Sequence, residues 1–209
     1  MDKKLMTSAL TKYLLGAVLL GEMIFLPAGT LRFAQGWLFM AVKSPELLRK
    51  RLNGKEEKGT QKAVVAASGL MFAAAFAAAG LSYRFGWLRL PMGASIAAAV
   101  VFLAGYGMYA EVLRENAYLS RTVEVQRGQK VIDTGLYGVI RHPMYTATIL
   151  MFLAAPLVMG SVVSFIICLA YPVIITARLK NEEKVLEEGL DGYREYKKKV
   201  RYRLLPFIW

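Results

Sequence analysis

The only histidine of the chain, His142, stands in the stretch GLYGVIRHPMY, residues 135–145. Arg141 precedes it, Pro143 follows it, and Tyr145 comes three residues on, where a long apolar segment begins. One helical turn separates His142 from Tyr145, so an imidazole and a phenol can face one way beside a guanidinium. Such a set can orient a charged ligand or move a proton. A second cluster, ARLKNEEK, puts Arg178 four residues before Glu182 on one helix face, with Glu183 next in line. Each stretch also has a plainer reading. Basic residues and tyrosines anchor spans at a membrane surface. Proline favours the first turn of a helix. Arg178 and the glutamates read equally as a solvated, salt-bridged helix. Cys168 stands alone, and one His with one Cys argues against a disulfide framework and against a metal site.

The elements that must position these residues are apolar. The chain has 209 residues, 56% of them hydrophobic, in long blocks that indicate a polytopic membrane protein rather than a soluble domain. A formal net charge of +12 would suggest nucleic acid in a soluble protein. Here the Lys and Arg cluster between apolar blocks, as loops facing anionic lipid do, and no basic stripe interleaved with aromatics stands apart from them. Spans are expected over about residues 13–31, 63–83 and 91–113, with a hairpin over 144–177 that turns at Met159–Gly160–Ser161. The block over 63–83 is rich in Ala and is expected to pack centrally, because small residues let helices approach closely. Pro156 and Pro172 are expected to kink the two arms of the hairpin. Gly105 and Gly107 lie inside a span with no strand before them, and read as helix packing rather than a nucleotide loop.

The positive charges orient the chain. Residues 43–62 carry seven, 114–141 carry five and 178–203 carry nine, against two in the 84–89 loop. The first three regions and the N-terminus therefore belong in the cytoplasm, and the N-terminal run reads as an uncleaved first span. This requires a crossing within residues 31–48, whose weakly apolar ~18 residues reach roughly 27 Å; a re-entrant or interfacial helix is the alternative. The fold expected is all-α, a polytopic bundle with about five or six crossings and a cytoplasmic C-terminal amphipathic helix carrying Tyr193, Tyr196, Val200 and Leu204 on its apolar face. That face would lie on the membrane, with Phe207, Ile208 and Trp209 dipping into the interface. Glu22, inside the first span, is either a functional carboxylate or a partner for Arg32.

Together, GLYGVIRHPMY, a hairpin of spans, Arg178-x-x-x-Glu182-Glu183 and a Tyr193-x-x-Tyr196 helix closing at Pro206 resemble the integral-membrane methyltransferases, the isoprenylcysteine carboxyl methyltransferase and phospholipid N-methyltransferase group. The resemblance covers about Glu111 to Trp209 and looks most like a bacterial branch. It implies a cofactor-binding catalytic region over 111–209 and transmembrane helices over 1–110 on the substrate side. It implies S-adenosylmethionine as cofactor, in a pocket facing the cytoplasm from an inner (plasma) membrane. Glu182 or Glu183 would hold the cofactor's amino group, and Arg178 would orient its carboxylate or the glutamate pair. His142 and Tyr145 would face the cofactor, Tyr137 and the turn at Gly135 would close over the adenine, and Arg141, Pro143 and Tyr193 would complete the pocket. The acceptor implied is lipid-like or amphipathic, with no nucleic acid and no metal. Carboxyl O-methylation of an isoprenylcysteine-like substrate is the first expectation, phospholipid N-methylation or thiol S-methylation the alternatives. Two rivals stand beside it. Membrane sterol reductases share a similar Arg-His-Pro-x-Tyr stretch and use NADPH, and the chain could be a membrane protein without enzymatic activity.

Overall fold

A computed structural model describes residues 3–42, 59–119 and 123–209. Its helices are α1 (Lys3–Ala28), α2 (Ala34–Val42), α3 (Gly59–Phe85), α4 (Met92–Glu115), α5 (Pro143–Val158), α6 (Val162–Cys168), α7 (Ala170–Gly189) and α8 (Tyr193–Lys199), with a 3₁₀ turn at Gly135–Gly138 before α5. Among the described residues the only strand-like pairing is an isolated bridge between Arg89 and Ser161.

Among the described residues three segments are long and apolar enough to cross a membrane: Lys62–Phe85, Met92–Glu115, and Val162–Gly189, which joins α6 to α7. Leu14–Ala28 and Pro143–Val158 are shorter apolar helices. The hairpin turns where the sequence indicated. Gly160 has φ +70°, and a Cβ there would sit 2.4 Å from the Gln35 amide nitrogen, so only glycine fits. The break between α6 and α7 falls at Leu169, because Pro172 has no N–H and crowds the carbonyl four residues back.

Packing follows the small residues. Gly80 of α3 lies against the backbone of α1, where a Cβ would stand 2.4 Å from the Ile24 carbonyl oxygen. Gly105 of α4 lets Leu150 and Met151 of α5 come within 3.2 and 3.1 Å of a built Cβ, and α4–α5 is the most extensive helix pair. The Ala-rich α3 is central, as its composition implied, touching α1, α5, α6 and α7. The described part of α2 is nine residues long, about 14 Å as helix, and too short to cross. It folds back with Phe33, Gln35 and Phe39 buried. The remainder of the 31–48 segment lies outside the described residues, as does most of the basic 43–62 stretch.

The tail departs from its pattern. The helix stops at Lys199, and Val200 to Leu204 run without regular structure. Tyr193, Tyr196 and Val200 pack against Val131, Leu186 and Leu190, while Leu204 enters the main core. The apolar face that suggested a membrane surface is covered by protein. The helix ends here because the carbonyls that follow are taken by the Arg141 side chain.

Candidate functional site

The site forms where the N-terminus of α5 meets the C-terminal half of α7. Pro143 opens α5 at its first position, with His142 as the capping residue. The preceding 3₁₀ turn presents Tyr137. Gly135, at φ +49°, has the Glu115 carboxylate packed where a side chain would be. Tyr137 Oη accepts a hydrogen bond from Asn116 Nδ2 at 2.9 Å, and its carbonyl accepts one from Tyr196 Oη at 2.7 Å. Burial pushes the Tyr137 phenol up to about 12.

Adjacent residues on a helix point about 100° apart, and this separates the two glutamates. Glu183 is 3% exposed and faces inward. Its Oε1 accepts from Arg141 Nε at 2.7 Å and lies 3.3 Å from His142 Nε2; its Oε2 accepts from Arg203 Nε at 3.0 Å. Glu182 faces the other way and accepts from Tyr145 Oη, which itself accepts from Arg178 Nε at 3.1 Å. The His142 and Tyr145 rings stack with centroids 5.7 Å apart. Around the two carboxylates stand the guanidinium groups of Arg141, Arg178 and Arg203, one more cation than anion.

These groups border a cleft. Tyr137, Arg141, His142, Tyr145, Arg178, Glu182 and Tyr193 all line it, so seven of the residues singled out in the sequence are brought together. Its other walls come from the apolar face of α7 and the loop before α5, including Leu186 and Ile132. The enclosed part measures about 90 Å³. Gly135, Pro143 and Glu183 stand behind the wall. Tyr193 Oη is buried with no hydrogen-bond partner among the described residues, which is unusual for a phenol and marks a place where a ligand would supply one. Burial raises the Tyr193 pKa, keeping it a donor.

A second cavity of about 300 Å³ lies between α3, α5 and α7. Its lining is mostly apolar, with Val65, Gly69, Phe72, Phe152, Tyr171 and Ile175 among its walls. Tyr145 and Arg178 line this groove as well as the cleft, so one phenol–guanidinium pair forms the wall between them. Sequence reasoning missed Asn116, Thr146 and Arg203. Asn116 and Arg203 are polar residues in irregular segments, where no periodicity marks them.

Residues 91–191 match the family model for phospholipid methyltransferases. The matched stretch takes in α4 to α7 and stops before Tyr193 and Arg203. The chain is also similar to a delta(14)-sterol reductase of Mus musculus, 29% identical over 93 residues, which is 42% of this chain and 22% of that protein. The chain thus spans about a fifth of the curated relative's length. With three helices among the described residues long and apolar enough to cross a bilayer, it is a membrane protein.

Proposed function

We propose that the chain is a methyltransferase of the membrane that uses S-adenosylmethionine and modifies a lipid-like acceptor. The observation that carries this is the shared wall: a polar, charge-rich cleft and an apolar groove meet at Tyr145 and Arg178. A reaction between a water-soluble donor and a lipid-soluble acceptor needs two such chambers touching at one point.

The residues fit the cofactor. Glu182 suits its amino group, Arg178 its carboxylate, and the unpartnered Tyr193 hydroxyl a ring nitrogen or ribose oxygen. When bound, the cofactor supplies an electrophilic methyl group on a sulfonium. Glu183, shielded by Arg141 and Arg203, orients His142 instead of touching a ligand. The Arg178 guanidinium has five N–H donors, so at the junction it can meet an anionic head of the acceptor as well as the cofactor's carboxylate, and a carboxylate acceptor needs no base. Carboxyl O-methylation of an isoprenylcysteine-like acceptor is therefore the preferred reading. An amine or thiol acceptor would have to lose a proton, for which His142 stands at the cleft wall. The cleft faces the cytoplasm, on the side of the basic loops.

Titration of S-adenosylhomocysteine into protein in nanodiscs, with NADPH in a parallel cell, tests the cofactor. Saturable binding of the first alone is expected; no binding of it would end this reading. The sterol reductase similarity favours a second reading, an NADPH-dependent reductase, and NADPH binding would replace the first with it. Turnover of any acceptor separates an enzyme from a non-catalytic relative. Gly69→Phe, at a position where a side chain meets nothing within 4 Å, should fill the groove. It should raise the KM for the acceptor and leave S-adenosylhomocysteine affinity unchanged.

A further inference from the structure

Five consecutive carbonyls, from Val200 to Leu204, accept hydrogen bonds from three residues of the histidine stretch. Arg141 Nη1 donates to Val200 O and Arg201 O at 2.8 and 2.7 Å. The Arg141 and His142 backbone N–H groups donate to Tyr202 O and Arg203 O, both at 2.9 Å. Thr146 Oγ1 donates to Leu204 O at 2.7 Å. An extended strap has no internal hydrogen bonds, so every carbonyl it buries must be met from outside. Here one short stretch, Arg141 to Thr146, meets all five. That stretch and the strap are two halves of one structure.

A single ion cluster pins them. Arg141 Nε holds Glu183 Oε1 while its Nη1 holds the strap, and Arg203, itself on the strap, reaches back to Glu183 Oε2. The Glu183 side chain is 4% exposed, against 29% for Arg203. The same Oε1 faces His142 Nε2. A buried carboxylate that serves an imidazole and a guanidinium on one oxygen needs its other oxygen fixed, or it rotates and both contacts are lost.

We propose that Arg203 is a positioning residue of the cleft: by fixing one oxygen of Glu183 it sets the orientation of His142 and locks the strap against the histidine stretch. The role lies outside the matched residues 91–191. The ligand readout below rests on the reading of the cleft as a cofactor site; the spectroscopic one does not.

Because His142 is the only histidine in the chain, nitrogen-15 labelling of histidine gives one imidazole to follow by NMR. The full chain in nanodiscs is compared with Arg203→Gln and Arg203→Lys. Arg203→Gln should shift the imidazole nitrogen resonances and weaken S-adenosylhomocysteine binding by about tenfold, the size expected from one charge-assisted hydrogen bond. Arg203→Lys restores the cation and should return both toward the wild-type values. An unchanged imidazole signal in a folded Arg203→Gln protein overturns the proposal, and so does unchanged affinity. If Arg203→Gln does not fold while Arg203→Lys matches the wild type in both readouts, the cation serves only the fold, and the proposal is likewise overturned. If the wild-type protein binds no S-adenosylhomocysteine, the cofactor reading fails, and the imidazole signal alone decides the role of Arg203.

Discussion

Glu183 and Gln35 are each 3% exposed, and each ties together segments far apart in sequence. Gln35 does it with a neutral amide. Its Nε2 donates to Leu90 O and Ser95 Oγ at 3.0 and 2.9 Å, and its Oε1 accepts from Arg89 at 2.9 Å. The neighbouring turn is closed by Leu90 N–H to Gly160 O at 2.9 Å. Glu183 does it with a charge among two guanidinium groups and an imidazole. A buried charge is a poor device for stability alone, since desolvation offsets most of the attraction, and an amide ties segments together at lower cost. Stability suffices to explain Gln35. It does not suffice for Glu183, which stands behind the wall of the cleft beside His142.

The comparison breaks or sharpens under substitution. The largest effect is expected from Glu183→Ala, which leaves the Arg141 guanidinium buried without its carboxylate. It should cost about 3–5 kcal/mol of stability, read as a large fall in unfolding temperature in detergent, with loss of S-adenosylhomocysteine binding. Glu182→Gln, one residue away, should weaken that binding with an unfolding temperature close to wild type. A small stability effect at Glu183 would put the two carboxylates in one class and erase the distinction between clasp and ligand contact.

Next comes Gln35→Ala. It strips Leu90 O and Ser95 Oγ of a donor and should cost about 1–3 kcal/mol, with S-adenosylhomocysteine affinity unchanged. Weakened binding would mean that the two clusters communicate through α5.

The smallest effect needs alkaline pH to appear. Tyr137 is raised to about 12, above the ordinary tyrosine value near 10. The folded state holds the proton more tightly, so this contribution is complete below about pH 10 and is lost as pH rises toward 12. The unfolding temperature should fall across that window, and Tyr137→Phe should flatten the fall. Tyr193 and Tyr196 shift in the same direction from burial, so some slope should persist in the variant.

Much of the architecture was legible because it is written in length and composition. The blocks that became α3 and α4, and the turn at Gly160, follow from apolar runs bounded by charge. The cleft was legible by residue type: Tyr137, His142, Tyr145, Arg178, Glu182 and Tyr193 do line one space. The roles within it were not. Glu182 and Glu183 are the same residue type in adjacent positions, and only the direction of each side chain assigns one to the cleft and the other to the clasp. From the sequence Glu183 reads as a cofactor ligand, whereas its oxygens are occupied by Arg141, His142 and Arg203. The strap was illegible for a different reason. Tyr193, Tyr196, Val200 and Leu204 keep helical spacing, yet the helix stops at Lys199. Carbonyl partners supplied from a remote segment leave no trace in local periodicity.

Arg141 lies 59 and 60 residues ahead of the carbonyls it holds. Chains grow at about 5–20 residues per second, so the histidine stretch emerges several seconds before its other half exists. During that interval the spans can insert and pack, while Arg141, His142 and Thr146 have nothing to close upon. Assembly of this wall of the cleft thus waits until residues 200–204 have been made. A nascent chain halted between residues 190 and 199 would have every helix through α7 and no strap for Arg141, His142 and Thr146 to close upon.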